Sequence, residues 1–251
     1  MKRRSQSQEY EYLYLTEAEE ARARIGFLPV GSIESHGGSL PLGTDALIAR
    51  AFALAFARRV GGVIFPPISY GFCPNTSGFP GTISPGPAAF LPYLTEVCRE
   101  LHRKACDKII ILNVHRGNDA AIALVVDDLF HSDGISLYYV NPYTFLGEEA
   151  DANLFAGKDN SYREATLLLA SLRALDDPRV SRYVSETDEV VKRPPELEQL
   201  RQHGALGFSY SEERAHVAPR KDVDIEKGMA YFRMAEDKIA ELVAVWKRLE
   251  C

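Results

Sequence analysis

The segment Lys108-Ile109-Ile110-Ile111-Leu112-Asn113 restricts the possible folds of this chain more than any other feature. Its apolar residues follow one another without alternating polar ones, which predicts a β-strand buried on both faces. Such strands occur in parallel sheets whose two faces are covered by helices. The segment therefore predicts an α/β fold.

Shorter apolar runs and amphipathic segments alternate on either side of this strand. The further predicted strands are residues 25–30, 63–65 and 135–140, and the predicted helices are residues 45–59, 88–104, 119–130, 162–175, 195–203 and 225–249. This alternation is typical of a parallel sheet between two layers of helices. Because neither an internal repeat nor a linker interrupts it, we expect one domain over residues 1–251, with residues 1–10 disordered.

Composition limits the classes of function. Apolar residues make up 46% of the chain and charged residues 25%, which is typical of a globular protein. The net charge of -6 argues against a nucleic-acid partner, and no apolar window approaches a membrane span or a signal peptide. The cysteines lack Cys-x-x-Cys spacing and are expected to be reduced, with Cys98 and Cys106 buried as small apolar groups. These features predict a cytoplasmic protein.

Candidate metal ligands follow the first predicted strand. Glu34 and His36 are two residues apart in an extended segment, so their side chains face the same side. Asp45 lies near the start of the next helix, where Thr44 is the predicted N-cap. Parallel sheets place their ligands beyond the carboxyl ends of the strands.

A second set of polar residues, Asn113-Val114-His115-Arg116-Gly117-Asn118, directly follows the strongest strand. His115 is therefore expected at the same sheet edge as the first set. Imidazole and carboxylate ligands suit zinc, manganese or iron(II). Because a carboxylate has two oxygens, Asp45 is able to bridge two ions.

Several motifs together resemble the creatininase (creatinine amidohydrolase) family. They are Glu34-x-His36-Gly37 through Leu40-Pro41-Leu42-Gly43-Thr44-Asp45, Phe79-Pro80-Gly81-Thr82-Ile83-Ser84, Asn113-x-His115-x-Gly117-Asn118, Glu164-Ala165-Thr166, Gly204-Ala205-Leu206-Gly207 and Glu226-Lys227-Gly228. The resemblance implies a three-layer αβα fold with a mostly parallel central sheet, one or two divalent metal ions and a homo-oligomer, commonly a hexamer. It also implies hydrolysis of a carbon–nitrogen bond in a small cyclic amide or formamide.

The resemblance also implies roles for individual residues. Glu34 and His115 would hold one ion and His36 the other, with Asp45 between them. Glu164 would complete a ligand shell or act as general base. Asp159 is a further candidate catalytic acid, with a solvated loop residue as the alternative interpretation. The predicted substrate-binding residues are Arg116, Thr82 and Ser39.

Departures from the family pattern leave the substrate open. Gly117 stands where creatininase itself has a glutamate, and Ser39 and Thr76 stand where histidines are usual. Asp159-Asn160-Ser161 replaces a His-Ala-Gly triplet. One alternative is a formamide hydrolase acting on a formylamino-pyrimidine ribonucleotide of archaeal flavin and deazaflavin synthesis, with Arg116 on the phosphate. Another is a catalytically inactive member that binds a metal or ligand.

Overall fold

The computed structural model describes residues 9–22, 24–37, 40–147, 153–158, 160–182, 199–200 and 223–249. Within them, a parallel four-stranded sheet has the order β2-β1-β3-β4. Its strands are β1 (Ile25–Val30), β2 (Val63–Ile64), β3 (Lys108–Asn113) and β4 (Leu137–Val140). The principal helices are α1 (Leu15–Ala21), α2 (Thr44–Val60), α3 (Pro87–Lys104), α4 (Asp119–Asp133), α5 (Asn160–Ala174) and α6 (Ile225–Trp246). The expected three-layer αβα fold is confirmed.

Alternating residues of each strand face two separate apolar cores. Phe27 and Ile110 pack with residues of α2, α5 and α6 on one face of the sheet. Leu28 and Ile111 pack with residues of α3 and α4 on the other face. Each such fully buried side chain stabilises the fold by about 1.5–3 kcal/mol. The continuous apolar run of β3 is therefore required by burial on both faces, as the sequence predicted.

The order of the strands creates a crevice at one edge of the sheet. The chain leaves β1 for β2 on one side and then returns to β3 on the other side of β1. The two connections cover opposite faces of the sheet, since α2 packs in one core and α3 in the other. Loops after β1 and β3 therefore separate above their carboxyl ends, where open α/β sheets bind ligands.

Several local expectations need correction. The N-cap of α2 is Gly43, and Thr44 is its first helical residue, because the Thr44 hydroxyl donates to Pro41 O at 2.7 Å instead of capping. Both β2 and β4 are shorter than predicted. Glu9 and Tyr10, expected to be disordered, are placed by a bridge to Ile64 and a ring contact of 5.1 Å to Phe65.

Three other expectations concern membrane contact, the C-terminal half and the burial of two cysteines. Over the described ranges, every helix is too short or too polar to cross a membrane. The predicted helix at residues 195–203 lies outside the described residues except at positions 199 and 200, which are helical. Cys98 and Cys106 are fully buried, as predicted.

Gly31 allows β1 and α2 to approach closely just before the first motif. A Cβ atom at this position would lie 2.4 Å from Ala46 N and 2.6 Å from Ala46 Cα. Both are backbone atoms of the first turn of α2, which also carries Asp45. A side chain at residue 31 would therefore push the helix away from the strand.

Gly31→Ala should lower the free energy of unfolding by about 1–3 kcal/mol, because the added methyl group overpacks against backbone. Urea denaturation of the full chain measures the change. Gly86→Ala is the matched control, since nothing lies within 4 Å of a Cβ there, and we expect it to cost under about 1 kcal/mol. Equal stability losses in the two variants would contradict this packing argument.

Candidate metal centre

Backbone hydrogen bonds shape the loop that carries Glu34 and His36. Glu34 N–H donates to Leu42 O at 2.9 Å, which closes the loop between β1 and α2. Ser35 N–H donates to Thr82 Oγ1 at 3.0 Å, which attaches the loop to the Phe79–Ser84 segment. Glu34, at 6% exposed, and His36, at 1%, are held inside the protein by these contacts. The two side chains reach a common point with Asp45, as their spacing predicted.

Asp45 lies at the centre of the site. It belongs to the first turn of α2 and is 2% exposed. Its Oδ2 atom is 3.0 Å from His115 Nδ1 and accepts a hydrogen bond from Ser32 Oγ at 2.7 Å. Its Oδ1 atom lies 3.4 Å from His36 Nε2. One carboxylate therefore faces both imidazoles, with a different oxygen towards each.

A further carboxylate lies near each of the two imidazoles. Glu34 Oε1 lies 2.8 Å from His115 Nδ1, on the same side as Asp45 Oδ2. Glu164 Oε1 lies 3.5 Å from His36 Nε2, and the Glu164 side chain is 19% exposed. The predicted ligands Glu34, His36, Asp45, His115 and Glu164 thus lie together in the structure.

In both imidazoles, the second ring nitrogen contacts a backbone carbonyl oxygen. His36 Nδ1 lies 3.0 Å from Glu34 O, and His115 Nε2 lies 2.9 Å from Phe72 O. These contacts make Nδ1 of His36 and Nε2 of His115 the donors. The other nitrogen of each ring then faces two carboxylate oxygens, so a proton or a cation must lie between them.

Electrostatics confirm this requirement for positive charge. Burial by itself would lower the pKa of His36, but the carboxylates of Glu164 and Asp45 outweigh it and raise the pKa well above its usual range. Burial would raise the pKa of Asp45, whereas His36 and His115 together hold that pKa well below its usual range. With both imidazoles protonated, their two charges would offset those of the Glu34 and Asp45 carboxylates. A divalent cation would supply the same charge with both imidazoles neutral.

The donor set fits a metal. Ligand atoms of Glu34, His36 and Asp45 lie within 4.8 Å of one another, and all three residues are buried. Nitrogen and oxygen donors in this combination suit zinc, manganese or iron(II). The backbone carbonyls on the second ring nitrogens are the partners that orient metal-binding histidines.

Two asparagines of the third motif connect the loops around the site. Asn118 Nδ2 donates to Gly31 O at 3.0 Å and to Asn113 Oδ1 at 3.1 Å, while Asn118 Oδ1 accepts from Phe72 N–H at 2.8 Å. Asn113 Nδ2 in turn donates to His115 O at 2.7 Å. The loops after β1, β2 and β3 are therefore bound to one another directly.

Gly117 leaves room for the histidine contact. A Cβ atom at residue 117 would lie 2.3 Å from His115 Nε2 and 2.4 Å from Phe72 O. Any side chain there would displace the hydrogen bond between these two atoms. Glycine at position 117 therefore permits this orientation of His115.

The sequence did not predict a role in the site for three residues that the structure places there. Thr76 donates from its hydroxyl to Glu34 Oε2 in a short hydrogen bond. Cys73 offers its thiol within 4.8 Å of the ligand atoms of Glu34 and His115. Tyr143 has a buried hydroxyl with no hydrogen-bond partner among the described residues. The position of Thr76 before the second motif was the one available signal.

Other predicted residues fall into two groups. Ser39 and Asp159 lie outside the described residues. Thr82 supports the first loop through Ser35 N–H, and Arg116 is an exposed residue directly after His115. Contacts of Thr82 and Arg116 with a substrate stay predictions.

Comparison with known proteins connects this site to a family. The family model described as "Creatininase: Creatinine amidohydrolase" matches residues 11–243. A mycofactocin precursor peptide peptidase from Mycolicibacterium smegmatis is 41% identical over 39% of this chain and 42% of its own length. Creatinine amidohydrolase from Pseudomonas putida is 32% identical over 43% of this chain and 45% of its own length.

A third relative has another named substrate. The 2-amino-5-formylamino-6-ribosylaminopyrimidin-4(3H)-one 5'-monophosphate deformylase of Methanococcus maripaludis is 30% identical over 44% of this chain and 48% of its own length. The chain therefore matches less than half the length of these curated relatives. A crystal structure of creatinine amidohydrolase superimposes with a TM-score of 0.74 at 19% identity, covering 98% of this chain and 100% of the other.

Thr76→Val should weaken metal binding about 10–100-fold, because the isosteric side chain no longer donates to Glu34. Titration calorimetry of the metal-free protein with zinc or manganese measures the affinity. Thr95→Val is the matched control, since the Thr95 hydroxyl donates at 3.0 Å to Leu91 O within α3. An unchanged affinity in Thr76→Val would show that this hydrogen bond does not orient the ligand.

Proposed function

The chain belongs to the creatininase family, and we propose that it is a divalent-metal-dependent amidohydrolase that cleaves the carbon–nitrogen bond of a small amide or formamide. The observation that carries the proposal is the position of Asp45 between two imidazoles, each of which also faces a second carboxylate. This arrangement supplies one imidazole and one further carboxylate on each side of the shared Asp45 carboxylate. It supports binding of one or two ions.

Relatives support the choice of metals. Two solved creatininases are titled "Zn-Zn type" and "Creatininase Mn". The residues present here offer nitrogen and oxygen donors that suit either metal. When bound, such a cation would act as a Lewis acid that polarises a carbonyl and makes water a stronger nucleophile near neutral pH.

Glu164 is suited to the role of general base. At 19% exposed it is more accessible than Asp45, and its Oε1 atom faces the cluster at His36 Nε2. It lies in α5, on a different element from the other ligands. A carboxylate at this position would accept the proton of an attacking water.

Tyr143 is suited to donate a hydrogen bond to the reacting amide. Burial, followed by the negative charges of Glu164 and Asp45, raises the pKa of Tyr143 well above its usual range. The hydroxyl therefore stays protonated, and it has no acceptor among the described residues. A buried donor without an acceptor is costly unless a ligand supplies one. We assign that acceptor to the substrate.

Arg116 favours a second candidate, the formylamino-pyrimidine ribonucleotide. This arginine is exposed immediately after His115, where its guanidinium is able to bind a phosphate. The relative from Methanococcus maripaludis is named for such a substrate. The peptide substrate in the name of the mycobacterial relative is a further test compound, because that relative is the more similar over its matched segment.

His36→Ala should lose metal and activity together, because one side of the Asp45 carboxylate then lacks its imidazole. Elemental analysis of protein purified without chelator measures the metal. The substrate panel contains creatinine, a formylamino-pyrimidine ribonucleotide and a short peptide. The release of methylguanidinoacetate-type products, formate and amines is measured separately.

His102→Ala serves as the control, since His102 lies in the last turn of α3. Retention of metal and activity in His36→Ala would refute the assignment. Metal in the wild-type protein without turnover of any compound would favour the catalytically inactive alternative.

Tyr143→Phe should lower kcat by about 10²–10³-fold with KM and metal content nearly unchanged, as for loss of a donor that acts in the transition state. Steady-state kinetics on whichever panel compound is turned over separates kcat from KM. Tyr138→Phe is the control. Tyr138 lies on β4, and its ring centroid is 5.9 Å from that of Trp246 in α6. A rise in KM alone would assign Tyr143 to ground-state binding instead.

A further inference from the structure

Cys73 lies beside the metal centre but has no role in the function proposed so far. It belongs to the loop between β2 and α3 and is 0% exposed. Its thiol and the ligand atoms of Glu34 and His115 lie within 4.8 Å of one another. These are the two residues that form one side of the site with Asp45.

The backbone around Cys73 is fixed against the site. Cys73 N–H donates to Ser84 Oγ at 2.8 Å. The preceding residue, Phe72, accepts from His115 Nε2 at 2.9 Å and donates its N–H to Asn118 Oδ1 at 2.8 Å. Contacts at residues 72 and 73 therefore hold the thiol next to the same histidine.

The thiol itself is held only weakly. Cys73 Sγ lies 3.3 Å from Gly71 O, and a thiol is a weak hydrogen-bond donor. The Cys73 side chain also interacts with the His115 imidazole, so a cation would replace these two contacts. By contrast, Cys98 and Cys106 lie within the apolar core between the sheet and α3, where no imidazole or carboxylate of the centre is present.

We propose that Cys73 is a thiolate ligand of the ion held by Glu34 and His115. This proposal rests on the metal centre proposed above. The ligand set on that side then becomes one imidazole, two carboxylates and one sulfur, which is a four-donor set suited to zinc. Coordination requires the thiol to release its proton to solvent, as metal binding to cysteine does in general.

A sulfur ligand changes the preference among metals. Thiolates are soft donors that select zinc, whereas manganese prefers oxygen donors. The side of the site with Glu34, His115 and Cys73 should therefore bind zinc more selectively than the side with His36 and Glu164, which lacks sulfur among the described residues. The two sides would differ in metal preference although they share Asp45.

X-ray absorption of the zinc-loaded wild-type protein tests the ligand without any substitution. We expect a zinc–sulfur scattering distance of about 2.3 Å in addition to nitrogen and oxygen at about 2.0–2.1 Å. Bound zinc with nitrogen and oxygen alone would overturn the thiolate proposal and leave the proposed function intact. Failure to bind zinc, manganese or cobalt would overturn both.

Matched variants of the full chain identify the sulfur. The cobalt(II)-loaded wild-type protein should show a near-ultraviolet sulfur-to-cobalt charge-transfer band. Cys73→Ala should lose this band, and its affinity for zinc relative to manganese should fall about tenfold or more. Cys98→Ala should keep both properties, since Cys98 is a core residue of α3 whose burial raises its pKa to about 12. A band that persists in Cys73→Ala would overturn the assignment.

Discussion

The balance of charge around Asp45 determines how the rest of the site is built. Burying a carboxylate costs several kcal/mol unless an opposite charge and hydrogen bonds compensate for it. Asp45 is 2% exposed, and each of its oxygens faces an imidazole. Because His36 and His115 use their second nitrogens on backbone carbonyls, their orientation towards Asp45 is fixed. The cluster therefore requires positive charge at its centre, which protons or a cation can supply.

That charge balance can be maintained only while three loops keep their positions. Asn118 connects them, since its amide binds Gly31 O, Asn113 Oδ1 and Phe72 N–H at once. Close backbone approach at Gly31 and Gly117 brings the helix of Asp45 and the ring of His115 into reach. A shift of one loop would therefore move ligands that belong to the others. Catalytic sites held by such secondary contacts keep their geometry without relying on the ligands alone.

The chemistry proposed for the charged cluster is compatible with different substrates. The relatives named here act on creatinine, on a precursor peptide or on a formylamino-pyrimidine ribonucleotide. Residues that would distinguish such substrates lie around the cluster rather than in it: Arg116 at the surface, and Tyr143 with its buried hydroxyl. Thr76 and Cys73 instead adjoin the candidate metal ligands: the Thr76 hydroxyl donates to Glu34, and the Cys73 thiol lies near Glu34 and His115. In the function proposed above, the metal centre would supply the chemistry and the surrounding residues would select the substrate.

The sequence by itself predicted the sheet from local periodicity, and it predicted the candidate ligands from their positions after strands and from the family resemblance. The apolar run of β3 indicated burial on two faces, and strand ends placed Glu34, His36 and His115 at one edge. Only the tertiary structure decided that Thr76 binds Glu34, a residue 42 positions away, and that Cys73 adjoins His115. It also moved the N-cap of α2 from Thr44 to Gly43. Contacts between loops depend on how distant segments close around one another, and that closure leaves no periodic pattern in the chain.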